Sequence, residues 1–99
     1  MLLSRLTISV GAYGLDVLLR DLVGHDQQPS AFIVYLFLSA RAERTRWQPV
    51  SASLRDLADA TGLSKSAIQS ALKNLRRREL ILTRHAHPTA NPEHTVLRP

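Results

Sequence analysis

Residues 65–73 carry side chains whose types and spacing suit contacts with a polyanion. An α-helical period that turns the apolar residues of 67–75 inward leaves five polar side chains facing outward near the helix start: Lys65, Ser66, Gln69, Ser70 and Lys73. Lysines neutralise phosphates or donate to guanine, glutamine can pair with adenine, and serines allow close approach. No Asp or Glu occurs from Gly62 to Arg78, whereas five basic residues do, and a merely solvated helix normally mixes signs. The stretch therefore predicts a helix face that binds DNA.

The residues before this helix predict how it is positioned. Ser53, followed three residues later by Asp56, is typical of a capping box that starts a short helix over residues 54–60. Gly62 can adopt the positive φ that a sharp reversal needs. Ser64 can cap the next helix, where free N–H groups can also hold a phosphate. The pattern indicates a helix-turn-helix, whose second helix enters the major groove, although an ordinary corner between two solvated helices remains the alternative.

A longer segment, SLRDLADATGLSKSAIQSALKNLRRRELI, resembles the helix-turn-helix of winged-helix transcription regulators. It is most similar to the GntR type and more distantly to the MarR type, through LA in the first helix, GLS at the turn and LI entering a strand. The sequence WQP at 47–49 also resembles the lead-in of phage and plasmid replication-type winged helices. The resemblance covers residues 31–99. Together with the order of elements that the residue pattern predicts, it indicates a mainly α fold with a small C-terminal β-hairpin, a winged helix-turn-helix with an extra N-terminal helix.

The same resemblance implies which residues contact double-stranded DNA. Carried over position by position, it assigns contacts to five residues of the turn and the second helix: Ser64, Lys65, Ser66, Gln69 and Lys73. It makes residues 80–98 the wing, with Arg84 and the loop at His87 as backbone or minor-groove contacts. The residue pattern itself predicts strands over 80–86 and 94–99 in this region. In this sequence Glu79 stands where the family usually has glycine. We expect no ligand-binding domain after the wing, so the resemblance does not imply metabolite sensing.

Charge and composition agree with a nucleic-acid partner. Of the 99 residues, 1–40 carry two arginines against three aspartates, whereas 41–99 carry eleven Lys or Arg against five acids, and the net charge is +5. A basic half is expected of a polyanion binder, although a basic solvated surface has the same composition. The absence of cysteine excludes disulfides and thiolate metal sites. No stretch reaches the length of a membrane span, and we expect a cytoplasmic, nucleoid-associated protein without cofactors.

Two apolar helices are predicted before the turn. Residues 12–23 place leucines at helical spacing, with Gly24 as the C-terminal stop, and Leu6, Ile8 and Val10 alternate in a preceding arm or strand. Further along, Pro29 suits the first turn of a second helix. In that helix nine of the ten residues 31–40 are apolar, which predicts burial on most sides.

These helices also predict the domain organisation. We expect residues 1–28 to form an N-terminal arm and helix that can act as a dimerisation element, and residues 29–99 to form the winged domain. Phe32 and Phe37 belong to an apolar surface larger than one small domain easily hides. This favours a homodimer through the N-terminal segment and the helix over 30–40. In the alternative, the first helix simply covers that face.

The remaining basic and aromatic residues favour structural roles. Arg76, Arg77 and Arg78 suit the last helical turn, where cations complement the helix dipole, better than they suit phosphate contacts. Three histidines, His85, His87 and His94, could meet across the hairpin as zinc ligands, but their spacing is loose, and ordinary surface histidines are the preferred interpretation. Trp47 can stack on a base, yet packing over the first helix of the turn is favoured.

The sequence contains no recognisable catalytic constellation. It lacks a nucleophile with a supporting base, and it lacks a glycine-rich phosphate loop. It also has no paired carboxylates in an apolar setting, so we do not expect an enzyme. The leading hypothesis is sequence-specific DNA binding by a transcriptional regulator. The alternatives are a replication-initiation or plasmid-partition DNA-binding protein, or a protein–protein adaptor with a degenerate winged helix.

Overall fold

Apolar periodicity and capping residues divide the described part of the chain, residues 11–97 of the computed structural model, into four helices and three strands. The helices are an N-terminal helix over Gly14–His25, α1 over Pro29–Arg44, α2 over Leu54–Thr61 and α3 over Lys65–Arg77. The strands are β1 over Val50–Ser51, β2 over Ile81–His85 and β3 over Pro92–Val96. The prediction of a mainly helical chain with a small C-terminal hairpin is confirmed.

The N-terminal helix differs from the prediction in its winding and its end. It is wound as a π-helix, a wider coil that rarely extends beyond one turn. The Asp26 N–H donates to the Asp21 carbonyl at 2.8 Å, so the helix continues through Gly24, and the prediction of Gly24 as the stop is wrong. Leu18 and Leu22 are buried on its inner side. The predicted arm over the first ten residues lies outside the described residues.

Helix α1 lies at the centre of the packing. Pro29 occupies its first turn, as predicted, and the helix contacts the N-terminal helix, α2, α3, β1 and β3. Phe32, Tyr35 and Leu38 are buried, and Trp47 packs partly buried against the same core. The chain therefore covers much of the apolar surface by itself, as the alternative to the dimer prediction expects.

The end of α3 is a Schellman motif built without glycine. The Leu80 N–H donates to the Leu75 carbonyl and the Glu79 N–H donates to the Arg76 carbonyl, both at 2.9 Å. Glu79 has a φ of 59°, in the left-handed region where a Cβ is unfavourable. This is the position that the resemblance assigns to glycine. The motif sets the direction in which the chain leaves α3 and enters β2.

Replacing Glu79 with glycine is expected to raise the free energy of unfolding by about 1 kcal/mol, because glycine has no Cβ to strain at positive φ. Urea denaturation followed by circular dichroism measures the change. Glu79→Ala is the matched control, since it removes the carboxylate but keeps the Cβ. A glycine variant no more stable than the alanine variant would show that the left-handed backbone costs nothing here.

The sheet has the order β1–β3–β2 and is antiparallel throughout. In the hairpin Ile81 pairs with Val96, and Thr83 pairs with His94. Strand β3 begins at Pro92, two residues before the predicted start at 94, and ends at Val96. Strand β1 adds a third member by pairing with β3. The sheet packs its inner face against α1 and α3.

Candidate nucleic-acid interface

The turn between α2 and α3 is built by short-range hydrogen bonds that the sequence predicts. The Asp56 N–H donates to Ser53 Oγ at 3.0 Å and the Ser53 N–H donates to Asp56 Oδ2 at 2.9 Å, which confirms the capping box. Gly62 has the predicted positive φ, at 78°, and its N–H donates to the Ala58 carbonyl at 2.8 Å. Leu63 then packs from the turn against the core. These contacts fix the angle between the two helices.

Helix α3 separates an apolar inner face from a polar outer face. Four of the five residues predicted to face inward are buried: Ile68, Ala71, Leu72 and Leu75. The fifth, Ala67, is half-buried. All five residues predicted to face outward are exposed: Lys65, Ser66, Gln69, Ser70 and Lys73. The structure therefore brings these five side chains together on one accessible helix face.

Ser64 is exposed, but its hydroxyl is engaged within the helix. Its Oγ accepts the Ala67 N–H at 3.1 Å and lies 3.3 Å from Ser66 Oγ. The predicted N-cap is confirmed. A DNA contact at Ser64 has to come from the remaining hydrogen-bonding capacity of the hydroxyl or from the backbone at the helix start.

The two predicted wing residues, Arg84 and His87, are exposed in the hairpin. Successive strand residues point to opposite sides of a sheet, and Thr83 points toward α3. Its neighbour Arg84 therefore points to the opposite side of the sheet. His87 is exposed in the hairpin loop, where its Nδ1 lies 3.1 Å from Thr89 Oγ1.

His94 has a structural position that the sequence did not reveal. It is 1% exposed, its Nδ1 lies 3.0 Å from Thr83 Oγ1, and its Nε2 has no hydrogen-bond partner within normal geometry. Burial lowers the pKa of His94, the Ala52 backbone opposes this, and the charges of Arg76 and His85 lower it further. The preferred interpretation of His94 as a surface histidine is therefore wrong. Within residues 11–97, no three His, Cys, Asp or Glu side chains are grouped to hold a metal.

An ion cluster fixes the C-terminal end of α3. Arg78 donates from Nε to Asp26 Oδ2 at 2.8 Å and from Nη2 to Asp26 Oδ1 at 2.6 Å. Asn74, a buried polar residue of α3, donates to the same carboxylate at 3.0 Å. Arg77 Nη2 lies 3.3 Å from Asp26 Oδ2. The structural role expected of Arg77 and Arg78 thus includes ion pairs with a residue far away in the sequence.

Arg76 differs from its two neighbours, because it extends toward the sheet. Its Nη1 donates to Thr83 Oγ1 at 3.4 Å, and its side chain is exposed. Sequence reasoning assigned Arg76 to the helix dipole. Arg76 follows Gln69 by seven residues, or about two helical turns, so the two side chains lie on the same side of α3. This spacing is the signal in the sequence that could have placed Arg76.

Two helices joined at a left-handed glycine, the second with an exposed cationic face, define a helix-turn-helix, a unit that proteins use to place a helix in the DNA major groove. Residues 28–81 match the helix-turn-helix domain family over more than half of the chain, and the protein belongs to that family. Comparison with curated proteins and with solved structures returns no match. None of the helices in the described residues is long and apolar enough to cross a membrane.

Proposed function

We propose that the protein binds double-stranded DNA sequence-specifically through α3 and acts as a transcriptional regulator. The observation that carries the proposal is the exposed, acid-free face of α3 within a helix-turn-helix. In the major groove, Lys65 and Lys73 neutralise phosphates or donate to guanine, and Gln69 can pair with adenine. Ser66 and Ser70 are short enough to let the helix backbone approach the bases.

The charges on this face support the proposal. Within residues 11–97 neither Lys65 nor Lys73 forms an ion pair, whereas Arg77 and Arg78 are engaged with Asp26. The two lysines are therefore available to a partner, and the two arginines hold the helix in place. A face that binds phosphates needs cations without acidic partners in the protein, and the two lysines meet this need.

Two finer features belong to the proposal. The β2–β3 hairpin acts as the wing, as the GntR-type resemblance implies, and the apolar surface of residues 1–28 and of residues 30–40 forms the contact of a homodimer. Three large apolar side chains of these segments are 40–42% exposed and support such a contact: Tyr13, Leu19 and Ile33. Two-fold pairing presents two α3 helices to successive turns of the groove, which doubles the DNA contacts. A protein with this role is located with the DNA, in the cytoplasm at the nucleoid.

The salt dependence of duplex affinity tests the proposal. A plot of log affinity against log salt is expected to have a slope of roughly −4 if a dimer uses Lys65 and Lys73 of both chains. Fluorescence anisotropy with a labelled random duplex at low and moderate salt measures it, and the stoichiometry of the same titration counts the chains on each duplex. Absence of duplex binding at low salt would contradict the proposal and favour the protein–protein adaptor.

A further inference from the structure

Lysine is confined to one place in this chain. The sequence contains eleven arginines but only two lysines, Lys65 and Lys73. Both lysines lie on the exposed face of α3. The arginines, in contrast, occur from position 5 to position 98. The chain therefore carries its side-chain amino groups only on the face to which we assign the DNA contacts.

Contact with nucleic acid alone does not explain why this face carries lysine. A guanidinium pairs with a phosphate through two parallel hydrogen bonds, whereas an ammonium acts as a point charge. Arginine is thus the more specific phosphate ligand, and the chain uses it at every other cationic Lys or Arg position. What lysine has and arginine lacks is an amino group that can be acylated.

Both amino groups are accessible to a reagent. Lys65 is the first residue of α3, and Lys73 follows eight residues later, about 12 Å along the helix axis, so each can react without the other. Within residues 11–97 neither side chain forms an ion pair, and no Asp or Glu occurs from Gly62 to Arg78. A surface with one sign of charge concentrates ions of the other sign. Acyl phosphates and the acyl thioesters of coenzyme A, which are activated acyl donors, are anions of this kind.

We propose that Lys65 and Lys73 are acylation sites whose modification releases the protein from DNA. The neutral ε-amine attacks the carbonyl carbon of an acyl phosphate, an amide N–C bond forms, and the bond from that carbon to the phosphate oxygen breaks. The phosphate departs with the bonding electron pair and takes up the amine proton. An acyl thioester reacts in the same way, with the thiolate as the leaving group. In both cases the lysine becomes a neutral amide.

Acylation removes charge from the α3 face without disturbing the contacts that hold α3. Two amides remove two units of positive charge from each chain, while Arg77 and Arg78 keep their ion pairs with Asp26. Loss of a cation at Lys65 also suits the positive end of the helix dipole. The acylation sites rest on the chemistry and position of the lysines, whereas the effect on DNA rests on the proposed function.

Incubation of the full chain with acetyl phosphate or with acetyl coenzyme A, followed by peptide mass spectrometry, tests the sites and identifies the donor. At low salt, both lysines are expected to be acetylated about tenfold faster than the amine of Nα-acetyl-lysine amide, because the α3 face concentrates the anionic donor. Added salt is expected to remove this difference. If neither donor acetylated the two lysines faster than the reference amine, α3 would hold no acylation site and the inference would be wrong.

Fluorescence anisotropy with a labelled duplex measures the consequence for DNA. The doubly acetylated chain is expected to bind duplex about thirtyfold more weakly than the unmodified chain at low salt, because two phosphate contacts lose their charge. A chain with both Lys65→Arg and Lys73→Arg is the matched control, since it keeps both charges and lacks both amines. It is expected to bind duplex at least as tightly as wild type, before and after the same treatment.

The outcomes separate this inference from the proposed function. Acetylation of both lysines without loss of duplex affinity would overturn the inference. An equal loss by the arginine variant would also overturn it, since other groups would then carry the effect. Rapid acetylation of both lysines in a chain that binds no duplex even when unmodified would sustain the acylation sites and refute the proposed function.

Discussion

Replacing Asp26 with alanine is expected to lower the free energy of unfolding by about 3 kcal/mol, because it leaves partly buried donors without their acceptor. The Asp26 side chain is 3% exposed and accepts a two-pronged hydrogen bond from Arg78. Asn74 donates to it as well, from the buried side of α3. This loss is at the low end of what removing one partner of a buried ion pair costs, because the Arg78 side chain is 26% exposed and keeps part of its hydration.

The pH dependence of this loss is set by the same contacts. The hydrogen bonds from Arg78, with that from His25, hold the pKa of Asp26 far below its usual range, while desolvation partly opposes them. A carboxyl with a depressed pKa stabilises the fold fully above its unfolded pKa of about 3.9, and loses that contribution as the pH falls below it. Wild type and Asp26→Ala are therefore expected to differ fully at neutral pH and to converge in acid.

Urea denaturation at pH 7 and at acidic pH measures both expectations. Asp59→Ala is the matched control, because Asp59 pairs with Arg55 at 3.9 Å while both side chains are more than three-quarters exposed. Its removal is expected to leave the denaturation midpoint unchanged. If the two alanine variants were equally stable, the cluster around Asp26 would not be what anchors the end of α3.

The sequence predicts the turn well because every contact that builds it spans only a few residues. Ser53 bonds to Asp56 and Ser64 bonds to Ala67, each within one turn of helix, and the Gly62 N–H donates to Ala58, four residues earlier. Such features depend on residue type and spacing alone, so they can be inferred before the fold is known.

Contacts between distant residues were beyond the same reasoning. Arg78 lies 52 residues from Asp26, and no periodicity links them. The short strand β1 pairs with β3 at Val50 and His94, which hides His94 between strands and helices. The π-helical winding before α1 also has no signal in the leucine spacing, since an amphipathic pattern fits either coil at this length.

Reversing the charge at Lys65 is expected to weaken duplex binding about thirtyfold at low salt, because a carboxylate then faces the phosphates that the ammonium attracts. Gln69→Ala is expected to behave differently. It removes a base contact without changing charge, so it weakens the preferred sequence about tenfold and leaves random duplex unaffected. Anisotropy titrations of both variants against a preferred duplex, selected with the wild-type chain, and a random one separate the two effects. Arg44→Glu, a reversal at an exposed arginine of α1, is the control.

A loss of binding by Lys65→Glu cannot be attributed to a damaged helix. Lys65 is exposed and is the first residue of α3, where the helix dipole is positive. A glutamate at that position complements the dipole and stabilises the helix, so the variant is expected to unfold at the same temperature as wild type or higher. The affinity for duplex DNA should therefore fall while the unfolding temperature stays the same or rises. If Lys65→Glu bound duplex as tightly as the wild-type chain, α3 would not be the helix that meets DNA.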